Sequence, residues 1–215
     1  LNHCSLPHLT IRCALTSAYD CTFTARIVAI GASGSQGLED LRNLLAIWPV
    51  TMNAVIAAVL HRPCDQQSFL REVLQKKSRV PVAVAGDGDP LYRGVCYIGK
   101  PDRPITLGAG RRAVLLDGAG NRFRNRTIDL LLKSVAHEAG AAAVGVILSG
   151  ALDDGSRGLA AIHDVGGTTM VLDPDDKPRG MQRNAIDYDG PISFVGDLPQ
   201  LARALSSLAT ADTVR

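Results

Sequence analysis

From Arg26 onward the apolar residues fall into short continuous runs and helix-spaced series, in alternation. Ile27–Ile30 is a β-branched run closed by Gly31, the pattern of a strand buried on both faces. Leu38, Leu41, Leu44 and Leu45 then recur at helical spacing. Ala54–Leu60 predicts a second buried strand, Gln66–Gln75 a helix and Val80–Val84 a third strand. Further on, Gly86-Asp-Gly-Asp-Pro90, Gly99 to Pro104 and Leu107-Gly-Ala-Gly110 punctuate short runs such as Val95–Ile98 and Ala113–Leu116, which predicts a meander of hairpins. The alternation resumes with a helix over Ile128–Ala139, a strand over Ala143–Leu148, a helix over Gly158–Val165, a strand over Thr168–Leu172 and a helix over Leu198–Leu208. The implied fold class is α/β: a doubly wound, mainly parallel sheet flanked by helices, with an inserted antiparallel hairpin region.

Residues 1–25 lack this periodicity and are read as an unpatterned N-terminal extension, leaving 26–215 as one domain. A chain of 215 residues with 46% hydrophobic content can bury a sizeable core. The net charge of +2 is not gathered into a basic run, which argues against nucleic acid or anionic membrane as the main partner. The longest apolar runs fall well short of the ~20 residues of a spanning helix. No signal peptide is legible at the start, so a soluble, cytoplasmic chain is expected. The five cysteines are odd in number and form no C-x-x-C pair, implying neither a disulfide framework nor a zinc site. Cys64 lies near His61, but no basic or helix-terminal setting for its thiolate is evident.

In open α/β sheets reactive groups gather at the carboxyl ends of the strands. Three polar clusters fall at such ends: Gly31-Ala-Ser-Gly-Ser35, His61-Arg-Pro63 and Ser149-Gly-Ala-Leu-Asp-Asp-Gly155. Ser33 sits on a glycine-flanked turn between strand and helix, where its oxygen can be lifted clear of the backbone and the helix start offers N–H groups to an oxyanion. The bland alternative is an ordinary helix cap. Ser35 is a fallback nucleophile. His61 closes the next strand, and successive strands joined by a helix commonly pair, which brings it within reach of Ser33 as a general base. Asp153 or Asp154 could orient the imidazole, or could simply complement a helix dipole. Asp87, Asp89, Asp175 and Asp176 read as turn residues, and His137 and His163 as helix-body groups. No His/Asp/Glu spacing resembles a metal site.

The three clusters, in this order, resemble the catalytic domain of the chemotaxis protein-glutamate methylesterase (CheB). The resemblance rests on Ile30-Gly-Ala-Ser33, His61 with Pro63, and Val146-Ile-Leu-Ser-Gly150 leading to Asp154-Gly155. It extends to Tyr97-Ile98 with Asp102-Arg103, Ala143-Val-Gly-Val-Ile147, and Gly180-Met181 with Ala185-Ile186, from about Arg26 to Leu208. It implies a serine hydrolase that demethylates glutamate methyl esters, and deamidates glutamines, of methyl-accepting chemotaxis receptors. Ser33 would be nucleophile, His61 base and Asp154 the triad acid, with the backbone N–H groups of Gly34 and Ala151 as oxyanion hole and no cofactor or metal. An assembled triad would bring Ser33 Oγ to about 3 Å from His61 Nε2, with Asp154 on the other ring nitrogen.

The sequence departs from the family in several places. Gly34-Ser-Gln-Gly37 is one residue longer than the usual turn after the serine. The family's His-Arg-Pro-Ser-Val-Asp reads Arg124-Asn-Arg-Thr-Ile-Asp129, the proline of Gly-Met-Pro is Gln182, and Gly-Met-Gly-x-Asp-Gly has become Gly150-Ala-Leu-Asp-Asp-Gly155. The residues before Arg26 are too few for a receiver domain, so a fragment of a longer protein or a stand-alone form is expected, and the opening Leu1 fits the fragment. A carboxylesterase or amidase of different substrate, and a degenerate module that binds receptors without catalysis, are the competing readings.

Overall fold

The computed structural model describes residues 26–61, 68–117, 126–151, 153–175, 179–188, 190 and 192–211. Its centre is a seven-stranded sheet of β1 (Ile27–Ser33), β2 (Val55–His61), β3 (Val82–Val84), β4 (Cys96–Ile98), β7 (Ala143–Ile147), β8 (Thr168–Leu172) and β9 (Phe194–Gly196). The strand order is β3-β4-β2-β1-β7-β8-β9, and every pairing is parallel. β5 (Ile105–Gly108) and β6 (Arg112–Leu115) form a separate antiparallel hairpin.

The central strands form where they do because both faces are covered. Along β1, Val28, Ile30 and Ala32 enter one apolar cluster while Ile27 and Ala29 enter the other. The first cluster lies under α1 (Gly34–Ala46), α2 (Leu70–Gln75) and α6 (Leu198–Ala211), through residues such as Leu41, Leu44, Leu74, Leu201 and Leu205. The second lies under α3 (Thr127–Ala139), α4 (Ser156–Asp164), α5 (Met181–Asp187) and the hairpin, through Ile128, Leu132, Leu159, Met181 and Leu107. Helices on both faces of a parallel sheet make the doubly wound architecture expected from the alternation.

Two placements differ from the sequence reading. Val95–Ile98 was expected among the hairpins, yet Cys96, Tyr97 and Ile98 are all buried and form a parallel strand between β3 and β2. A strand covered on both faces has no exposed side to show as alternation. The antiparallel region is therefore narrower than expected, confined to β5 and β6 with the isolated bridge Pro90–Arg112. The helix expected over Gln66–Gln75 is seen as Leu70–Gln75: Ser68 and Phe69 precede it without joining the helix, and Gln66 and Gln67 lie outside the described residues. The extension over 1–25 lies outside them as well. Among the described residues no helix is long and apolar enough to cross a membrane.

The chain leaves β1 towards β2 on one side and returns through β7 on the other. The order therefore reverses between β1 and β7, and crevices open at the carboxyl ends of strands at such a switch point.

Candidate active site

β1 and β2 run parallel in a register that sets Ser33 opposite His61 as the last pair of the ladder. Ser33 has extended backbone (φ −148°, ψ 143°) and stands at the N-cap position of α1, yet its side chain makes no capping hydrogen bond. The cap reading of this serine therefore does not hold: its hydroxyl is not engaged by the helix it precedes. Its N–H donates to the Ser149 carbonyl at 3.0 Å, tying the end of β1 to the loop after β7.

That loop must come very close. A Cβ on Gly150 would lie 2.8 Å from Ser33 Cβ and 2.1 Å from Met181 Sδ, so only glycine lets the loop rest against the serine. A Cβ on Gly37 would lie 2.4 Å from the Ser149 carbonyl oxygen, so α1 can pack on this loop only through a glycine there. Gly34 is the first residue of α1, with φ +71°, and Ala151 is exposed immediately after Gly150. The two backbone groups assigned to an oxyanion hole thus belong to the segments on either side of Ser33. Ser35 lies exposed in the first turn of α1, away from the ladder position opposite His61.

Asp154 is 1% exposed and makes three contacts that define its role. Its Oδ2 lies 2.9 Å from His61 Nε2 and accepts the Ile128 N–H at 2.9 Å. Its Oδ1 accepts the Asp129 N–H at 2.8 Å. Ile128 and Asp129 are in the first turn of α3, whose own N-cap residue, Arg126, supplies no side-chain cap. The carboxylate therefore takes the unsatisfied amides of one helix, and the positive end of its dipole, while facing the imidazole. Asp153 is exposed and pairs with Arg126 at 3.3 Å instead. Neither acid lies in the first turn of α4, so the dipole role expected of one of them falls to Asp154, but on a different helix.

The ring of His61 is oriented otherwise than expected. Nε2 faces Asp154, and the Thr127 hydroxyl is 2.6 Å from the same nitrogen. Two oxygens face Nε2, an arrangement that a proton on that nitrogen satisfies and that leaves Nδ1 without either of them. No hydrogen bond joins Ser33 Oγ to the imidazole among the described residues; such contacts often tighten only when substrate is bound.

Asp129 mirrors Asp154. It is 2% exposed, and its Oδ1 accepts the N–H groups of Gly155 (3.0 Å) and Gly158 (2.8 Å) at the start of α4. Burial, and also the neighbouring Asp154 carboxylate, holds its carboxyl above the ordinary range, opposed by those amides and by Arg126. Arg126 joins Asp129 to Asp153 across the rim, each at 3.3 Å.

Ser149 stood in the sequence reading only as part of a polar cluster, and Thr127, Asp129 and Gln182 only as departures from the family, none with a role; Asp40 was passed over, and it and Gln182 are buried in contact with Ser149. For Asp40 the available signal was its place on the buried stripe of α1 with Gly37, Leu41, Leu44 and Leu45. Pro63 and Cys64 lie outside the described residues, and the Cys64–His61 alternative with them. The cysteine that is described, Cys96, is buried in β4 with its thiol pushed up to about 12 by desolvation. Among the described residues no group of three or more His, Cys, Asp or Glu could hold a metal ion.

The chain is similar to proteins of known family. It is 33% identical over 195 residues to the protein-glutamate methylesterase/protein-glutamine glutaminase of Salmonella typhimurium, a match covering 88% of this chain and 55% of that one. Its identity to a protein of the same name from Chromobacterium violaceum is 34%, covering 86% and 52%. The chain thus spans about half the length of these relatives. The crystal structure of the Thermotoga maritima CheB methylesterase catalytic domain superposes with a TM-score of 0.74 at 26% identity, over 86% of this chain and 98% of that domain. The strand ends that carry Ser33 and His61 and the loop that carries Asp154 thus sit in a shared fold, and the CheB methylesterase family model matches residues 28–205; the chain belongs to that family.

Proposed function

We propose that this chain is a serine hydrolase acting as a protein-glutamate methylesterase, which also deamidates glutamines, on methyl-accepting chemotaxis receptors in the cytoplasm. The observation that carries this reading is the placement of a buried carboxylate, held by two helix amides, on His61 Nε2, while the serine opposite His61 has a hydroxyl not spent on capping. Residues 26–215 would form the catalytic unit.

In this mechanism Nδ1 of His61 takes the proton of Ser33 as Oγ attacks the ester carbonyl. Asp154 and Thr127 hold the ring by Nε2–H, and the carboxylate stabilises the imidazolium. The tetrahedral oxyanion is received by the N–H groups of Gly34 and Ala151. When the tetrahedral intermediate collapses, the C–O bond to methoxide breaks, and the Nδ1 proton leaves with it as methanol; with a glutamine side chain the leaving group is ammonia. Water, deprotonated by the same nitrogen, then hydrolyses the glutamyl ester on Ser33 and restores the free enzyme. The chemistry requires no metal or organic cofactor.

Methanol release from methylated receptors is the direct test, and Ser33→Ala should abolish it. Failure of the wild-type chain to release methanol from receptors that another methylesterase demethylates would refute the substrate assignment. Turnover of small activated esters in the same preparation would then favour a carboxylesterase of different substrate. Lack of Ser33 labelling by a fluorophosphonate would favour a binding module.

A further inference from the structure

Ser149 follows β7 and is 5% exposed, and each of its polar groups is held by a different segment. Its carbonyl accepts the Ser33 N–H at 3.0 Å. Its own N–H donates to Asp40 Oδ2 at 3.3 Å, from α1. Its hydroxyl accepts from Gln182 Nε2 at 3.3 Å, from α5. Asp40, also 5% exposed, accepts from Gln36 Nε2 at 2.9 Å through its other oxygen. Gln36 lies in the first turn of α1, four residues before Asp40, and Gln182 stands where the resemblance would place proline. Gln182 therefore bonds Ser149 directly, while Gln36 reaches it only through Asp40.

A carboxylate on an apolar helix face is costly unless its lone pairs are satisfied. Asp40 lies between Gly37 and Leu41 on the buried side of α1, and its two oxygens take donors from Ser149 and from Gln36 one turn earlier in the same helix. An aliphatic residue would fill this position without such partners. The carboxylate instead links α1 to the loop after β7.

We propose that Asp40 and Gln182 are positioning residues which clamp Ser149 and thereby fix the nucleophile turn against the oxyanion loop; this rests on the hydrolase reading above. Ser149 controls both sides at once. Its carbonyl sets the backbone of Ser33, and two residues further on lies Ala151, whose N–H is the second oxyanion donor in that reading. A displacement near ~1 Å between such groups can cost on the order of 100-fold in rate. The clamp joins α1, α5 and the loop by polar bonds beside Ser33.

The test compares Asp40→Ala, Asp40→Asn and Gln182→Met with wild type in steady-state hydrolysis of p-nitrophenyl acetate, with circular-dichroism melts. Asparagine keeps an oxygen for the Ser149 N–H, and the Gln36 amide can turn to meet its NH2. Asp40→Ala should lower kcat about 10- to 100-fold with KM within about twofold, and Gln182→Met should lower kcat about 3- to 10-fold. Asp40→Asn should recover kcat to within about threefold of wild type. Wild-type kcat in folded Asp40→Ala overturns the proposal, as does loss in Asp40→Ala without recovery in Asp40→Asn. Should Asp40→Ala not fold, unchanged kcat in Gln182→Met overturns it. A wild-type chain that hydrolyses p-nitrophenyl acetate but not methylated receptors removes the substrate reading while the same variants still decide the clamp. A wild-type chain inert to both overturns both.

Discussion

Replacing Asp154 by asparagine keeps the shape of the side chain and removes one of its two acceptor oxygens. The carboxylate serves the Asp129 N–H at Oδ1 (2.8 Å), and the Ile128 N–H and His61 Nε2 at Oδ2 (both 2.9 Å). With the amide oxygen at the Oδ2 place, the NH2 confronts the Asp129 N–H. With it at the Oδ1 place, the NH2 confronts the Ile128 N–H and donates to His61 Nε2. In either case at least one buried backbone N–H loses its partner, at a cost of about 1–3 kcal/mol. For a domain of this size each kcal/mol lowers Tm by about 2–4 °C, so a fall of roughly 2–12 °C is expected.

The catalytic loss has a separate origin. The second orientation forces the proton onto Nδ1, the nitrogen that must accept it from Ser33, and neither orientation supplies a charge to the imidazolium. An exchange that imposes the wrong tautomer has cost about 10⁴-fold in kcat in a serine-protease triad, so a fall between about 100- and 10,000-fold is expected. Steady-state hydrolysis of p-nitrophenyl acetate and thermal melts on the same preparation measure both effects. A lowered Tm with kcat within about threefold of wild type would show that Asp154 caps α3 and does nothing for His61. An unchanged Tm would refute the capping argument.

Thr127→Val removes the second oxygen on His61 Nε2 at constant volume; since hydrogen bonds to charged groups are worth about 1.5–3 kcal/mol, kcat should fall about 10- to 100-fold, and Thr127→Ser should recover most of it. Equal kcat in Val and Ser variants would discard that role. Asp129 has a folded-state pKa raised by burial and by Asp154, so its contribution to stability is full below the unfolded-state value and is lost as pH rises through the folded one. Asp129→Asn keeps an oxygen for the Gly155 and Gly158 amides and abolishes that titration; urea unfolding between about pH 4 and pH 7 should show wild type losing stability relative to the variant as pH rises, and parallel profiles would reject the assignment. Gly37→Ala drives a Cβ to 2.4 Å from the Ser149 carbonyl oxygen. Because backbone must yield, the expected cost is about 1–3 kcal/mol, read by denaturant midpoint, with a loss of kcat that unaltered melting and turnover would contradict.

What the sequence made legible follows from burial. β1, β2 and β7 stand in the chain as apolar runs, and β8 as a shorter one after two threonines, because helices cover both faces of the sheet. β9 is short and only partly covered, with Val195 exposed, and leaves no such run. α5 buries only Met181, Gln182 and Ala185, too few to draw a stripe. Ser33 and His61 could be paired on paper because register follows from strand adjacency. The partners of Asp154 could not, since Ile128 and Asp129 lie some 25 residues away and meet it only through the packing of α3 on α4. The ring orientation of His61 was illegible for the same reason: Thr127 and Asp154 fix it from the α3 side.

The exchange between Asp154 and Asp129 explains how a negative charge can be kept beside His61 without a buried cation. Asp154, next to the start of α4, takes the amides of α3, while Asp129, in the first turn of α3, takes those of Gly155 and Gly158 at α4. Each carboxylate is thus held by the positive end of the other's helix, and Arg126 meets only the outward oxygen of Asp129. Dipoles fixed by folding need no rearrangement when a proton reaches the imidazole, whereas a mobile counter-ion would have to follow it. The same amides, left unpaired, would destabilise two helix starts at once. Capping and catalysis at Asp154 are therefore not rival readings of one residue. The bonds that satisfy α3 are those that hold the carboxylate on Nε2, and this coupling makes a substitution there register in both melting and turnover, while one at Thr127 should register chiefly in turnover.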